Sequence, residues 1–526
     1  MSIVTLDNLA AATPDGRVLF ENLSLSLGRE RTGLVGANGV GKSSLLAIVA
    51  GERAPAAGTV SLAGRVGLLR QSLGAPRGEA VADRLGVAEA VARLARCEAG
   101  EADGDDLDLA DWGLEARVGD ALGQAGLDDL DLTRATASLS GGQLTRLDLA
   151  ALIVDAPDLI LLDEPTNNLD AAARALVVEL LGRWQGGALV VSHDRALLRR
   201  MDRIVELSGL GARVYGGNYD LYAERKAAET AAAERGLELA EREADRAGRE
   251  AQQARERQAR RDAAGRKFAA RGSEPKILLG AQARRAEETA ARGNRLAEKQ
   301  REAAQAGLEA AQAQVERVRA LAFELPSSGL AAGKTVLELD GVGFSYPGGP
   351  PILQGVSLKL IGPERVAVTG PNGSGKTTLL RVAAGELAPT AGAVRLGARA
   401  VLLDQQTAVL GQDGSILDAF QRLNPGASLN EAHAALARFL FRNTAAHQAV
   451  ASLSGGERLR AALACVLWGR EPPQLLILDE PTNHLDFASL EAVEATLRGY
   501  NGAILAVSHD LDFLEAVGVA REVRLG

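Results

Sequence analysis

The chain has 526 residues, 46% of them apolar and 24% charged, with a formal net charge of −9. That length allows three or four domains with substantial cores. No apolar run reaches the ~18 residues of a membrane span. The N-terminal MSIVTLDNL has no basic region ahead of an apolar stretch, so the expectation is a soluble, unexported, cytoplasmic protein. Cys97 and Cys465 are too few for a disulfide framework, a structural zinc site or an iron–sulfur cluster.

In chain order, the first feature is Gly36-Ala37-Asn38-Gly39-Val40-Gly41-Lys42-Ser43, which follows the apolar run Gly33-Leu34-Val35 and precedes Ser44-Leu45-Leu46-Ala47-Ile48. This reads as strand, glycine loop and helix. Gly36, Asn38, Gly39 and Gly41 allow backbone N–H groups to cradle phosphates, with Ser44 opening the helix. Lys42 supplies charge to the β and γ groups, and the Ser43 hydroxyl suits magnesium. Leu159-Ile160-Leu161-Leu162-Asp163-Glu164 reads as a buried parallel strand ending in two carboxylates, Asp163 for a metal shell and Glu164 to polarise water. His193 ends another apolar strand, Val190-Val191-Ser192, where it is placed to face a γ-phosphate; a lone histidine there is ordinarily structural. Leu139-Ser140-Gly141-Gly142-Gln143 opens a helix with small residues, which makes an anion site from exposed amides. Between Glu98 and Trp112 seven carboxylates crowd together, and with the EF-hand spacing absent they read as a solvated acidic loop rather than a calcium site.

From Tyr219 to Leu325 the composition changes to Ala, Glu, Arg and Gln. The periodicity predicts one helix over about Asp220 to Ala264 and a second over about Ala281 to Leu321. Leu308, Val315 and Val318 fall at helical spacings on the second, and Gly265, Gly272, Ser273, Pro275 and Gly280 form a turn between the two. An antiparallel helical hairpin follows, reaching on the order of 60 Å at roughly 1.5 Å per residue. The segment has 22 Lys plus Arg against 19 Asp plus Glu, so it is +3 within a chain of −9. From Arg255 to Arg285 ten basic residues face three acidic ones. A basic tip suits a polyanion; a merely solvated helix pair is the bland alternative.

Beyond the hairpin the first pattern returns. Gly370-Pro371-Asn372-Gly373-Ser374-Gly375-Lys376-Thr377 is followed by Thr378, Gln405, Leu453-Ser454-Gly455-Gly456-Glu457, the strand Leu475 to Leu478 ending in Asp479-Glu480, then Leu485-Asp486 and His509. A self-similar period of this length is a duplication. The remaining histidines, His433, His447 and His484, take surface, capping or packing roles by default.

With Gln71 after Val66-Gly67-Leu68-Leu69, the order and spacing resemble the ATP-binding-cassette ATPases: Walker A, Q-loop, LSGGQ signature, Walker B, D-loop (Asn168-Leu169-Asp170) and switch histidine. Gly216-Gly217-Asn218-Tyr219-Asp220-Leu221-Tyr222, at the start of the hairpin, resembles the join into the interdomain linker of the ABC-F proteins, tandem ATPases that act on the ribosome. The resemblance implies an α/β fold with two P-loop ATP-binding-cassette domains in tandem, at 1–218 and 326–526, joined by a long α-helical hairpin at 219–325. It implies ATP with Mg2+, the metal held by Ser43, Gln71 and Asp163 in one site and by Thr377, Gln405 and Asp479 in the other. The catalytic groups implied are Glu164, Glu480, His193 and His509. Each site would be closed by the other cassette's signature, Ser454 to Glu457 against Lys42 and Ser140 to Gln143 against Lys376.

Both Walker B glutamates are present, so both sites are expected to hydrolyse ATP. Glu457 in place of glutamine is a departure. Another is Thr13, which aligns with Tyr346, the position where this family stacks a ring on adenine; weaker binding at the first site is expected. The resemblance further implies a monomer bound at the ribosomal tRNA exit site, its hairpin reaching ribosomal RNA and tRNA near the peptidyl-transferase centre. The expected role is translation regulation, stalled-ribosome rescue or resistance to a ribosome-targeting antibiotic. A family arm inside the first cassette is reduced at most to the acidic insertion. The alternative is an ATP-binding subunit energising a membrane transporter.

Overall fold

The computed structural model describes residues 2–69, 78–167, 169–269, 298–309, 325–469, 471–483 and 485–525. Gln71, Asn168 and His484, the expected turn at 270–280 and the positions Val315 and Val318 lie outside these residues.

Contact density divides the chain into two units, one formed by Met1–Tyr222 with Ala320–Gly526 and one by Ala223–Arg319. The first unit holds both cassettes. In the first cassette, a six-stranded sheet runs in the order Val66–Leu69, Leu159–Asp163, Gly187–Val191, Arg31–Gly36, Arg203–Ser208, Gly211–Gly216. Its first five strands are parallel, and only the last pair is antiparallel. Leu159 to Leu162 and Ala188 to Val190 are fully buried, as expected for strands covered on both faces. A three-stranded antiparallel sheet, with Val4–Ala12 between Val18–Leu27 and Ala57–Leu62, packs its apolar side on the same core. The second cassette repeats this plan. Its parallel sheet has the order Ala400–Leu403, Leu475–Asp479, Ala503–Val507, Arg365–Thr369, Arg521–Arg524, and its antiparallel sheet places Thr335–Ser345 in the centre. Parallel sheets of this kind present ligand sites at the carboxyl ends of their strands, where Asp163, Glu164, Asp479 and Glu480 stand.

Each cassette carries a second, helical core. In the first it is built around Val81, Leu114, Val118, Leu122, Leu144 and Leu147; in the second around Phe420, Leu436, Phe439, Leu463 and Leu467. The acidic insertion belongs to the first of these and is ordered as the helices Ala88–Ala99, Gly104–Asp108 and Leu114–Gln124. Three of its seven carboxylates are engaged in structure. Asp103 caps its helix by accepting from the Asp106 amide at 2.7 Å, Asp106 accepts from Arg96 Nε at 2.8 Å, and Asp111 pairs with Arg117. The expected loop is therefore helical, with Asp106 buried in an ion pair, while the other six carboxylates are exposed to solvent as expected.

The second unit contains most of a helix running from Tyr219 to Ala269, 51 residues. It continues through Gly265, where the sequence suggested a turn: one glycine costs a helix only about 1 kcal/mol, too little to end so long a run of good formers. Residues 298–309 are also helical, and Leu308 packs against Ala233 and Leu237. That contact joins positions 71 or more residues apart in sequence, as an antiparallel return requires.

Candidate active sites

The glycine loop of the first cassette turns sharply because its glycines take conformations other residues avoid. Gly41 caps the helix Lys42–Val49 at φ 105°, and its counterpart Gly375 caps Lys376–Ala383 at φ 89°; both lie in the left-handed region that glycine enters without strain. The loop wraps its own lysine. Lys42 Nζ donates to Gly36 O at 2.7 Å and Ala37 O at 3.2 Å; Lys376 Nζ donates to Gly370 O at 2.8 Å and Pro371 O at 2.9 Å. Burial lowers the pKa of both ammonium groups, against the pull of the Walker B carboxylates. A triphosphate would add to the counter-charge that the neighbouring carboxylates give these cations.

Across the loop, Asp163 bonds to Ser43 and Asp479 to Thr377, while burial raises both carboxyls. The next residue in each case, Glu164 or Glu480, has φ 47°. Its amide donates to a carbonyl on the neighbouring strand, Val191 O or Val507 O, each at 2.9 Å. This non-glycine kink turns the carboxylate off the sheet toward the histidine. Glu164 Oε1 lies 3.4 Å from His193 Nε2, and Glu480 Oε1 lies 3.3 Å from His509 Nε2. Desolvation pushes Glu164 up to about 8 and Glu480 up to about 7. It pushes His193 down to about 3 and His509 down to about 4. The imidazoles are therefore neutral, and each glutamate is held in a dry setting that strengthens it as a base.

The signature motifs are helix N-termini fixed by reciprocal side-chain bonds. Ser140 N donates to Gln143 Oε1 at 2.9 Å and Ser140 Oγ accepts from Gln143 N at 3.3 Å. Ser454 N donates to Glu457 Oε2 at 2.9 Å and Ser454 Oγ accepts from Glu457 N at 3.4 Å. Glutamine and glutamate fill this capping role equally well, which is the physical reason Glu457 is an acceptable departure.

The two cassettes meet head to tail. A cavity of about 290 Å3 is lined by Asn38, Gly39, Lys42, Ser43, Asp163 and Glu164, with His193 from the first cassette and Ser454 and Gly455 from the second. The arrangement is pinned by the D-loops. Asp486 Oδ2 accepts from the Asn38 amide at 2.9 Å, and Asp170 Oδ2 accepts from the Asn372 amide at 3.2 Å. Close by, Arg195 and Glu494 form a buried ion pair between cassettes at 2.7 Å, and Arg199 binds both oxygens of Asp512 at 2.8 Å. None of these four residues falls in a recognisable motif, so sequence gave no signal for them. Asp404 was also missed. It lies close enough to Asp479 to help raise its pKa, whereas the expected neighbour Gln405 is exposed.

The buried oxygens Asp479 Oδ1 and Glu480 Oε2 and the loop hydroxyl Ser374 Oγ have no hydrogen-bond partner among the described residues. Unpaired anionic oxygens beside a serine or threonine hydroxyl fit a divalent cation of the magnesium kind, so the donor set suits Mg2+.

The strand registers bear on the missing ring. Ala12 pairs with Val18 and Ser345 with Pro351, so Thr13 occupies the place of Tyr346. Tyr346 is 42% exposed and stands edge-on to Phe344. Thr13 instead turns its hydroxyl into its own loop, donating to Arg17 O and accepting from Arg17 N, each at 3.1 Å.

Comparison with known proteins agrees with this geometry. The family described as "ABC transporter" matches residues 20–167 and again 353–483. Over 94% of the chain and 92% of the relative, 36% of residues are identical to a tylosin resistance ATP-binding protein, TlrC, from Streptomyces fradiae. The chain is 32% identical to an energy-dependent translational throttle protein, EttA, from Mycobacterium tuberculosis, over 98% of the chain and 89% of that protein. The fold resembles that of an RNase-L inhibitor with a TM-score of 0.60 at 18% identity, covering 98% of this chain and 87% of that one. No helix among the described residues is long and apolar enough to cross a membrane. The chain thus belongs to the ABC-F family of tandem ATP-binding-cassette proteins and is an ATP hydrolase.

Proposed function

We propose that this ATPase binds the ribosome in the cytoplasm and couples nucleotide-driven cassette closure to the state of translation, as a monomer whose two cassettes pair with each other. The observation that carries the reading is the long charged helix Tyr219–Ala269 set between two complete cassettes. A motor domain that drives a membrane partner does not ordinarily carry such an insertion. Relatives along nearly the whole chain include proteins named for translational throttling and for resistance to tylosin, which supports the same direction. The hairpin segment 219–325 is the element assigned to ribosomal RNA and tRNA, through its excess of Lys and Arg.

In this reading both sites use the same chemistry. Lys42 and Lys376 neutralise the β and γ groups, while the loop amides hold the phosphates. Ser43 with Asp163, and Thr377 with Asp479, would hold magnesium, joined by Gln71 and Gln405; the ion supplies charge neutralisation at the triphosphate. Glu164 and Glu480 accept a proton from the attacking water. Neutral His193 and His509 hydrogen-bond the γ-phosphate, and the opposing signature serine and helix N-terminus complete each site only on closure.

The test is co-sedimentation of the Glu164→Gln/Glu480→Gln chain with purified ribosomes in ATP, beside recovery with membranes. ATP-dependent ribosome binding is expected. Recovery with membranes and none with ribosomes would replace this reading with the transporter-subunit one.

A further inference from the structure

His193 differs from its counterpart in what fixes its ring. Nδ1 and Nε2 of His193 are both buried and neither has a hydrogen-bond partner among the described residues. A histidine is normally oriented by a hydrogen bond to its second nitrogen, so the His193 plane depends on packing. The packing comes from the other cassette. Phe487 sets its ring against His193 edge to face, centroids 5.3 Å apart at 69°. Phe487 directly follows Asp486, the residue bonded to the Asn38 amide in the first site's glycine loop.

Behind Phe487 stands Tyr219, centroids 5.1 Å apart, the first residue of the helix Tyr219–Ala269. Tyr219 also meets Tyr222 at 6.1 Å, and Tyr222 meets Tyr215 edge-on at 5.1 Å. Arg199, which binds Asp512 and Asp220, lies 6.0 Å from the Tyr219 ring centre. The chain holds only five tyrosines, and three of them meet at this junction, so the stack is a concentration of rings in an aromatic-poor protein. Among the described residues the second site has no such stack: Ala171 follows its D-loop aspartate, Asp170, where Phe487 follows Asp486.

We propose that Phe487 and Tyr219 are positioning residues for His193, so that the first helical turn of Tyr219–Ala269 sets turnover at the first ATP site and not at the second. This rests on the reading of His193 as the γ-phosphate-facing group. Edge-to-face pairs hold a ring at a defined angle, and small misplacements of a group that contacts the reacting phosphate are costly in rate.

The test isolates each site, with Glu480→Gln leaving the first to turn over and Glu164→Gln the second. In the Glu480→Gln chain, Phe487→Leu and Tyr219→Leu are expected to lower kcat about tenfold while leaving KM for ATP within about threefold, and Tyr219→Phe, which keeps the ring, to retain turnover. In the Glu164→Gln chain, Tyr219→Leu should change turnover less than about twofold. Histidine-labelled NMR gives a readout independent of turnover, because the chain has only five histidines. The His193 ring resonance should move in Tyr219→Leu and the His509 resonance should not. Equal loss at both sites, a Tyr219→Phe defect as large as that of Tyr219→Leu, or an unmoved His193 resonance would overturn the proposal. His193→Ala in the Glu480→Gln chain separates the two ideas. Unchanged turnover there removes the γ-phosphate role, whereas lost turnover with an innocuous Tyr219→Leu removes the stack alone.

Discussion

Glu494→Ala removes one half of the buried pair that ties the cassettes together. Arg195 and Glu494 meet at 2.7 Å, with side chains only 10% and 8% exposed. Their environments pull in opposite directions. Burial raises the Glu494 carboxyl more than Arg195 lowers it, while for Arg195 desolvation is the largest single influence and lowers its pKa, yet Glu494, Tyr219 and Asp510 together raise it. The guanidinium decides the outcome, because it stays charged at any accessible pH and a short contact to it needs an ionised acceptor. Removing one partner of a buried pair costs about 3–5 kcal/mol, mostly for stranding the other charge. The lower end applies here, since Asp510 also acts electrostatically on Arg195 and remains to face it. About 3 kcal/mol is a factor on the order of 100 in the docking equilibrium of the cassettes. Because the composite sites form only in the docked arrangement, that shift appears as a weaker apparent affinity. Steady-state ATPase assays should therefore show KM for ATP raised at least about tenfold in Glu494→Ala. The double change Arg195→Met/Glu494→Leu, which replaces the pair with apolar groups of similar size, should restore KM to within about threefold of the parent. An unchanged KM in the single variant, or a double variant as impaired as the single, would refute the argument.

Other outcomes follow from the same geometry. Phosphate release should fall at least about a hundredfold when Glu164 and Glu480 are both glutamine, and retained turnover would reassign the base. With one Walker A lysine changed at a time, fluorescent-nucleotide titration should find the first site weaker than the second. Tyr346→Ala should cost the second site about 1–3 kcal/mol, the usual range for base stacking; equal affinities in the two single-site chains would count against the ring. Asp202 accepts from the Arg31 amide at 2.8 Å and pairs with its guanidinium, which holds its pKa low. Stability from this pair is present above the unfolded carboxylate value and is lost as pH falls through the depressed folded one. The pair is partly exposed, so its contribution is below about 1 kcal/mol. Urea midpoints of the parent and Asp202→Asn should differ at neutral pH and converge below about pH 4.

Much of the site was legible in the sequence because its chemistry is local. Glycine loops, strand-end carboxylates and capping boxes are short-range devices, and Lys42, Asp163, Glu164 and His193 come together as their spacing implied. Duplication was equally plain, since each copy had to repeat the same local solutions. The long helix after Tyr219 followed from propensity, although Gly265 was overread as a terminator because helix punctuation competes with the surrounding residues and can lose.

What only the tertiary structure decided lies between the cassettes. Arg195 with Glu494 are 299 residues apart and Arg199 with Asp512 are 313 apart, and neither pair has a periodicity or a motif to announce it. Phe487 is the first residue of the helix Phe487–Gly499, and only the docking of one cassette on the other places it between His193 and Tyr219. The physical reason is common to all of these. A sequence encodes local conformation through short-range sterics and hydrogen bonding, but the partner of a buried charge or ring at an interface is chosen by shape and desolvation across the whole fold.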